Sequence, residues 1–280
     1  MTTVDSHVHL WDPALFRYAW LDGLAALDRS FNPADFTAAR GSADVSKFIF
    51  VECGCEPAQS LAEVDWISNL ADTEPRLKGI VAHASLEDGE ETRAELETLA
   101  SRSLVKGVRR NLQSERDPAF CLCSKFLAGV RLLAEFGFTF DLCLRHEQLP
   151  AAAELARRVP EVTFVLDHLG KPDLRHKTFQ PWANDLKALA ELPNVVAKIS
   201  GLTTEADWRS WQPTELKPYL NHALESFGPE RLIFGSDWPV MSLATHYQHW
   251  LETVWTQLPI SRESDWLKLF QTNAERIYRV

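Results

Sequence analysis

The chain has 280 residues, 45% hydrophobic and 24% charged, with 29 basic against 39 acidic side chains and a net charge of −10. That composition is globular rather than disordered or fibrous, and its acidic balance argues against a nucleic-acid or anionic-membrane partner, whose phosphates it would repel. No run approaches the ~18 apolar residues of a membrane span.

In chain order, short β-branched or aromatic runs alternate with longer stretches of helical spacing. The strand-like runs are 4–10, 47–53, 77–84, 105–110, 139–144, 163–168, 195–200 and 231–237. Between them, helices are predicted over 57–73, 90–103, 119–135, 147–158, 181–191, 215–227 and 243–258, and a last one over 262–278 closes the chain. The segment 57–73 shows why: Leu61, Val64, Ile67 and Leu70 recur every three residues, and Pro57 fits a first turn, where its missing N–H costs nothing. Strands alternating with helices imply a parallel sheet with right-handed crossovers. Eight such units over 1–280 predict one α/β domain, a (β/α)8 barrel, rather than a doubly wound sheet. No Gly-x-Gly-x-x-Gly turn follows a strand, which counts against a dinucleotide.

The N-terminus lacks the basic flank and apolar core of a secretion signal, and the five cysteines are an odd count, so reduced thiols and a cytoplasmic setting are expected. The pairs Cys53/Cys55 and Cys121/Cys123 are spaced too tightly for an ordinary zinc knuckle and read as inert thiols.

Barrel enzymes take their catalytic groups from the C-terminal ends of the strands. Here those ends carry His7 and His9, Glu52, His83, Arg109, Asp141, His168, Lys198 and Asp237. His7 and His9 are two apart, so a strand would aim both imidazoles at one face, a pairing that suits zinc or another divalent ion. The plainer alternative is a pair of satisfied core histidines. Asp237 follows the apolar Leu232-Ile233-Phe234, where desolvation is expected to raise its pKa and make it a usable base. The competing role for it is a helix N-cap.

The motifs His7-Val8-His9-Leu10-Trp11-Asp12, Gly107-Val108-Arg109, Leu166-Asp167-His168-Leu169-Gly170-Lys171-Pro172, Lys198-Ile199-Ser200-Gly201 and Phe234-Gly235-Ser236-Asp237-Trp238-Pro239 resemble the amidohydrolase superfamily. The Asp-His-Leu-Gly-Lys-Pro and Trp-Asp elements narrow the resemblance to its sugar-lactonase branch, which opens aldonolactones such as L-fuconolactone and L-rhamnonolactone. The resemblance implies that His7, His9, His168 and Asp237 surround the reacting carbonyl, with Asp237 as general base for water. It leaves open whether one divalent cation, zinc first among candidates, is held there or the histidines act directly. Glu52 is either a further metal ligand or a salt-bridge partner of Arg109 or Lys198. The bridging lysine of binuclear members is missing: Lys106 points away from the face of Arg109, which disfavours a second metal.

Arg109 and Lys198 are expected to bind substrate hydroxyls or the developing carboxylate. Trp20 and Trp238 are expected to offer indole faces to a sugar ring, and His83 to pack in the core or touch substrate. The partner is thus a small sugar lactone, and the chain a monomer or homodimer. Rival readings are a dicarboxylate lactonase or metal-dependent decarboxylase of the same superfamily and, from another class, a non-catalytic binding barrel.

Overall fold

The computed structural model describes residues 2–280. Eight parallel strands form in chain order: β1 (Thr3–Val8), β2 (Val45–Val51), β3 (Leu77–Ala82), β4 (Val105–Val108), β5 (Thr139–Leu142), β6 (Phe164–Leu166), β7 (Val195–Ile199) and β8 (Leu232–Phe234). Each pairs with the next. The circle closes where the Asp237 N–H donates to the His7 carbonyl (2.9 Å) and the His9 N–H to the Trp238 carbonyl (2.7 Å). This is the expected (β/α)8 barrel. Every strand begins within two residues of its predicted start and ends one to three residues short of its predicted end, so His7, Asp141 and Lys198 lie within strands while His9, Glu52, His83, Arg109, His168 and Asp237 follow them.

The helices are α1 (Pro33–Arg40), α2 (Ser60–Leu70), α3 (Arg93–Ala100), α4 (Ser124–Phe136), α5 (Leu149–Arg158), α6 (Trp182–Ala190), α7 (Leu202–Glu205), α8 (Pro213–Phe227), α9 (Tyr247–Gln257), α10 (Glu263–Leu267) and α11 (Asn273–Tyr278). Two of them, α1 and the short α7, were not among the expected segments. α1 is announced locally: Asn32 caps it, accepting from Ala34 and Asp35 N–H groups, and Asp35 returns a bond to the Asn32 N–H. The closing helix predicted over 262–278 is broken into α10, a π-helical turn over Lys268–Thr272, and α11.

The break lets Asn273 donate to the Pro229 and Leu232 carbonyls and brings α11 under the barrel. Ala274, Ile277 and Tyr278 there pack against the inward layer Val4, Ile49, Val51, Val81, Val165, Val196 and Ile233. The N-terminal mouth is therefore plugged with apolar side chains. A larger apolar layer lies between strands and helices. Among the described residues no helix is long and apolar enough to cross a membrane.

Candidate active site

Side chains alternate across a strand, so the residues two beyond the apolar inner layer also face inward. On β6 that places Asp167 above Val165, and on β7 it places Lys198 above Val196. On β1 the register shifts between Asp5 and Val8, and Asp5 turns toward α9 to accept from the Tyr247 hydroxyl (2.9 Å). Its other oxygen accepts from the His7 and Ser236 N–H groups at 3.1 and 2.9 Å, lacing the strand of His7 to the turn of Asp237. Sequence reasoning passed over Asp5. Only its apolar surroundings could have flagged it, and burial pushes its carboxyl up to about 6.

Above the floor lies a layer of ions with no exposure. The Lys198 ammonium donates to Asp141 Oδ2 (2.5 Å) and lies 3.0 Å from Asp167 Oδ1. Tyr278, from the plug, donates to the same Asp141 oxygen (2.7 Å). Burial works against the ammonium, but Asp141 and Asp167 hold its pKa above the usual lysine value. Asp167 is likewise held low against its burial, by Lys198 and His7.

His7, His9, His168 and Asp237 converge on top of this layer. Asp237 Oδ1 lies 3.6 Å from His7 Nε2, 3.4 Å from His9 Nε2 and 3.9 Å from His168 Nε2. The opposite ring nitrogens are engaged: His9 Nδ1 with the Val51 carbonyl (2.8 Å), His168 Nδ1 with Ser200 Oγ (2.9 Å), and His7 Nδ1 facing Asp167 Oδ1 (3.3 Å). We assign the protons to these Nδ1 atoms, leaving three Nε2 lone pairs directed at Asp237. At His7 two donor-only groups compete, Arg109 Nη1 at 3.5 Å from Nε2 and Lys198 Nζ at 3.3 Å from Nδ1, and the Asp167 carboxylate beside Nδ1 decides the assignment.

Two such lone pairs, on His7 and His9, face each other at 3.1 Å. That contact is repulsive unless a cation stands between them. A tetrahedral zinc with bonds of about 2.0–2.1 Å holds its ligands roughly 3.3 Å apart, close to the spacings here. His7, His168 and Asp237 form one group able to hold a metal ion, and His9 extends it. The donor set fits a single divalent ion.

Backbone strain collects at the same place. His168, Leu169, Lys171 and Asp237 all have left-handed φ, between 49° and 64°, a costly conformation that the surrounding packing enforces. It turns consecutive residues 167 and 168 both into the cavity. Gly201 answers it: a Cβ there would come 2.4 Å from His168 Nδ1.

The electrostatics correct one expectation. Burial pulls the Asp237 carboxyl upward, but the neighbouring His168, His9 and His7 rings outweigh it and hold the pKa below the ordinary range. Desolvation pushes His168 down to about 4 and His7 well below 6.5, so both rings are neutral. Asp237 does not act as a helix cap; α9 is capped by His246.

Several expected roles give way to packing. The Arg109 guanidinium is spent on Glu52, through Nε to Oε1 (2.6 Å) and Nη2 to the backbone carbonyl (2.6 Å). Glu52 Oε2 accepts from the Gly54 N–H (2.6 Å), so this carboxylate is a salt-bridge partner and not a metal ligand. Lys198 is fully buried in the ion layer and cannot bind substrate. Trp238 packs against Phe31 and Phe36 and is 4% exposed, which removes it as a sugar platform. Trp20 stays on the rim, its Nε1 donating to the Cys53 carbonyl (2.7 Å) with 38% of its surface open. His83 is half-buried near Glu52 and makes no hydrogen bond among the described residues. Lys106 points elsewhere and donates to the Ser103 carbonyl. The five cysteines are free.

Missed by the sequence reading were Lys171, whose ammonium donates to Gln113 Oε1 (2.6 Å), and the buried Cys143, one pleat above Asp141. Pleat parity from Asp141 could have found the latter. Beside the cluster, Arg145, His146, Lys171, Thr204, Glu205 and Trp208 line a cleft of about 350 Å³.

A family model described as amidohydrolase matches residues 4–280. An L-fucono-1,5-lactonase of Burkholderia multivorans is 33% identical over 269 residues, covering 87% of this chain and 84% of the relative. A 2-pyrone-4,6-dicarboxylate hydrolase of Comamonas testosteroni is 25% identical over 258 residues, covering 87% and 78%. Among solved structures, an amidohydrolase from Burkholderia multivorans with bound zinc matches over 100% of both chains, with TM-score 0.87 and 30% identity.

Proposed function

Because the chain belongs to the amidohydrolase family and is a hydrolase of ester bonds, we propose that it opens a sugar lactone to the aldonic acid. The observation that carries this reading is the convergence of three imidazole Nε2 atoms on Asp237 Oδ1, within 3.9 Å, at the open mouth of the barrel.

A divalent cation held by His7, His9, His168 and Asp237, zinc in the first instance, would supply Lewis-acid polarisation of the ester carbonyl. Asp237 is ionised at any working pH, so the base is always available although it is intrinsically weak. It takes a proton from water as the water oxygen bonds to the carbonyl carbon. Negative charge gathers on the carbonyl oxygen as the tetrahedral centre forms. When the ring C–O bond breaks, Asp237 returns the proton to the departing alkoxide, giving one hydroxyl and one carboxylic acid. Ser200 is not the nucleophile of a serine hydrolase: its side chain is fully buried, and it orients His168.

His83 and Trp20, both partly open on the rim, are the expected substrate contacts of the strand-three and strand-one loops. A lactone carrying two carboxylates is the rival substrate, favoured by the pyrone-dicarboxylate relative. Against it stands an Arg109 already spent on Glu52, while the cleft sets Glu147, Asp173 and Glu205 beside Arg145, Lys171 and Arg175. The test is a panel of 1,5- and 1,4-aldonolactones beside 2-pyrone-4,6-dicarboxylate, read as proton release with a pH indicator. Turnover of aldonolactones is expected; turnover of the dicarboxylate alone, or proton uptake from a decarboxylated acid, overturns the proposal.

A further inference from the structure

We propose that Lys171 and Glu205 form a recognition pair for a vicinal diol, which makes a neutral, ring-hydroxylated lactone the substrate class of this site. The inference rests on the lactone-hydrolase reading and deepens it.

Both side chains line the cleft beside the imidazole cluster and keep 18% and 22% of their surface open. Their charged atoms, Lys171 Nζ and Glu205 Oε1, are 3.6 Å apart, too far for a hydrogen bond. Each therefore retains bonding capacity toward a third group. The ammonium uses one donor on Gln113 Oε1 (2.6 Å), which leaves two. Adjacent hydroxyls suit such a pair, one accepting from the ammonium and the other donating to the carboxylate. Burial works against the Lys171 ammonium, and the Glu205 and Asp237 carboxylates hold its pKa above the usual lysine value.

Both arms are fixed relative to the reacting centre. Lys171 lies in the left-handed turn that presents His168, its N–H bonded to the His168 carbonyl (2.9 Å). Glu205 ends α7, which starts immediately after Gly201, the residue packed on the His168 ring. A ring whose ester carbonyl meets His168 thus brings its hydroxyl edge within reach of the pair. One turn further on, the Trp208 indole donates to the Thr204 carbonyl (2.8 Å) and keeps 42% of its surface open on the same cleft. It offers the face for the C–H side of the ring that the buried Trp238 cannot. A second carboxylate on the substrate would meet Glu205 as a like charge.

The test compares kcat/KM for a polyhydroxylated 1,5-aldonolactone with that for δ-valerolactone, the same ring without hydroxyls. Wild-type protein should favour the hydroxylated ring, and E205Q and K171M should each shrink that ratio about 10–100-fold, chiefly through KM of the hydroxylated substrate. The comparison within wild-type protein stands even if one variant misfolds. A ratio unchanged in both variants, or a wild-type enzyme indifferent to hydroxyls, overturns the pair. Inactivity of the wild type on both rings would bring down the underlying hydrolase reading instead, and the pair with it.

Discussion

The two mouths of the barrel are lined by the same strands, a pleat or two apart, and are filled in opposite ways. Below, Ile49, Val81, Val165, Val196 and Ile233 close on Ile277 and Tyr278. Above, the buried His7, Asp167, Lys198 and Asp237 make a site in which each of these side chains can ionise. The apolar floor keeps water from the ions resting on it, and a buried charge without water must find its partner inside the protein. Hence Lys198 sits between two carboxylates, and Tyr278 reaches up through the floor to a second bond on Asp141. One mouth is for stability and the other for chemistry, and the ion layer is where they meet.

Removing the layer's central cation should break both mouths together. Lys198→Met leaves Asp141 and Asp167 under-compensated, with a predicted loss of about 3–5 kcal/mol in urea unfolding and of most activity. Ile49→Ala should separate the mouths. The cavity costs about 3 kcal/mol of stability, while kcat/KM at 25 °C stays near wild type; a parallel fall in activity would show that the floor does more than support. Tyr278→Phe keeps the ring in the floor and deletes one hydrogen bond to a charged group, an expected loss of about 1.5 kcal/mol in the same unfolding assay.

The smallest effect concerns pH. With His168 held near 4, kcat/KM should change less than about two-fold between pH 7 and pH 5. An imidazole at its ordinary 6.5 would lose activity steeply over that range. Stability moves the other way from activity's flatness. Because the unfolded His168 takes up a proton near 6.5 and the folded one refuses it until about 4, stability declines as pH falls through that window.

The alternation of strand and helix made the barrel legible, and the polar strand ends gave the imidazoles and Asp237, because both follow from local pattern. What pattern could not supply was partnership. Arg109 and Lys198 look like free cations in the sequence, and only the curvature of the barrel brings Glu52 to one and Asp141 and Asp167 to the other. Left-handed turns defeat parity as well: Asp167 and His168 are adjacent, so an alternating strand would send them to opposite faces, yet both enter the cavity. The direction of the Asp237 shift was misjudged for the same reason, since its apolar neighbours in sequence are outweighed by imidazoles far away in it.

Asp237→Asn, assayed by proton release from an aldonolactone, bears most directly on the claim that these distant residues meet as one hydrolytic centre. With the fold intact by circular dichroism, kcat should fall about 10²–10⁴-fold, the usual contribution of a general base; a rate within about two-fold of wild type would contradict it.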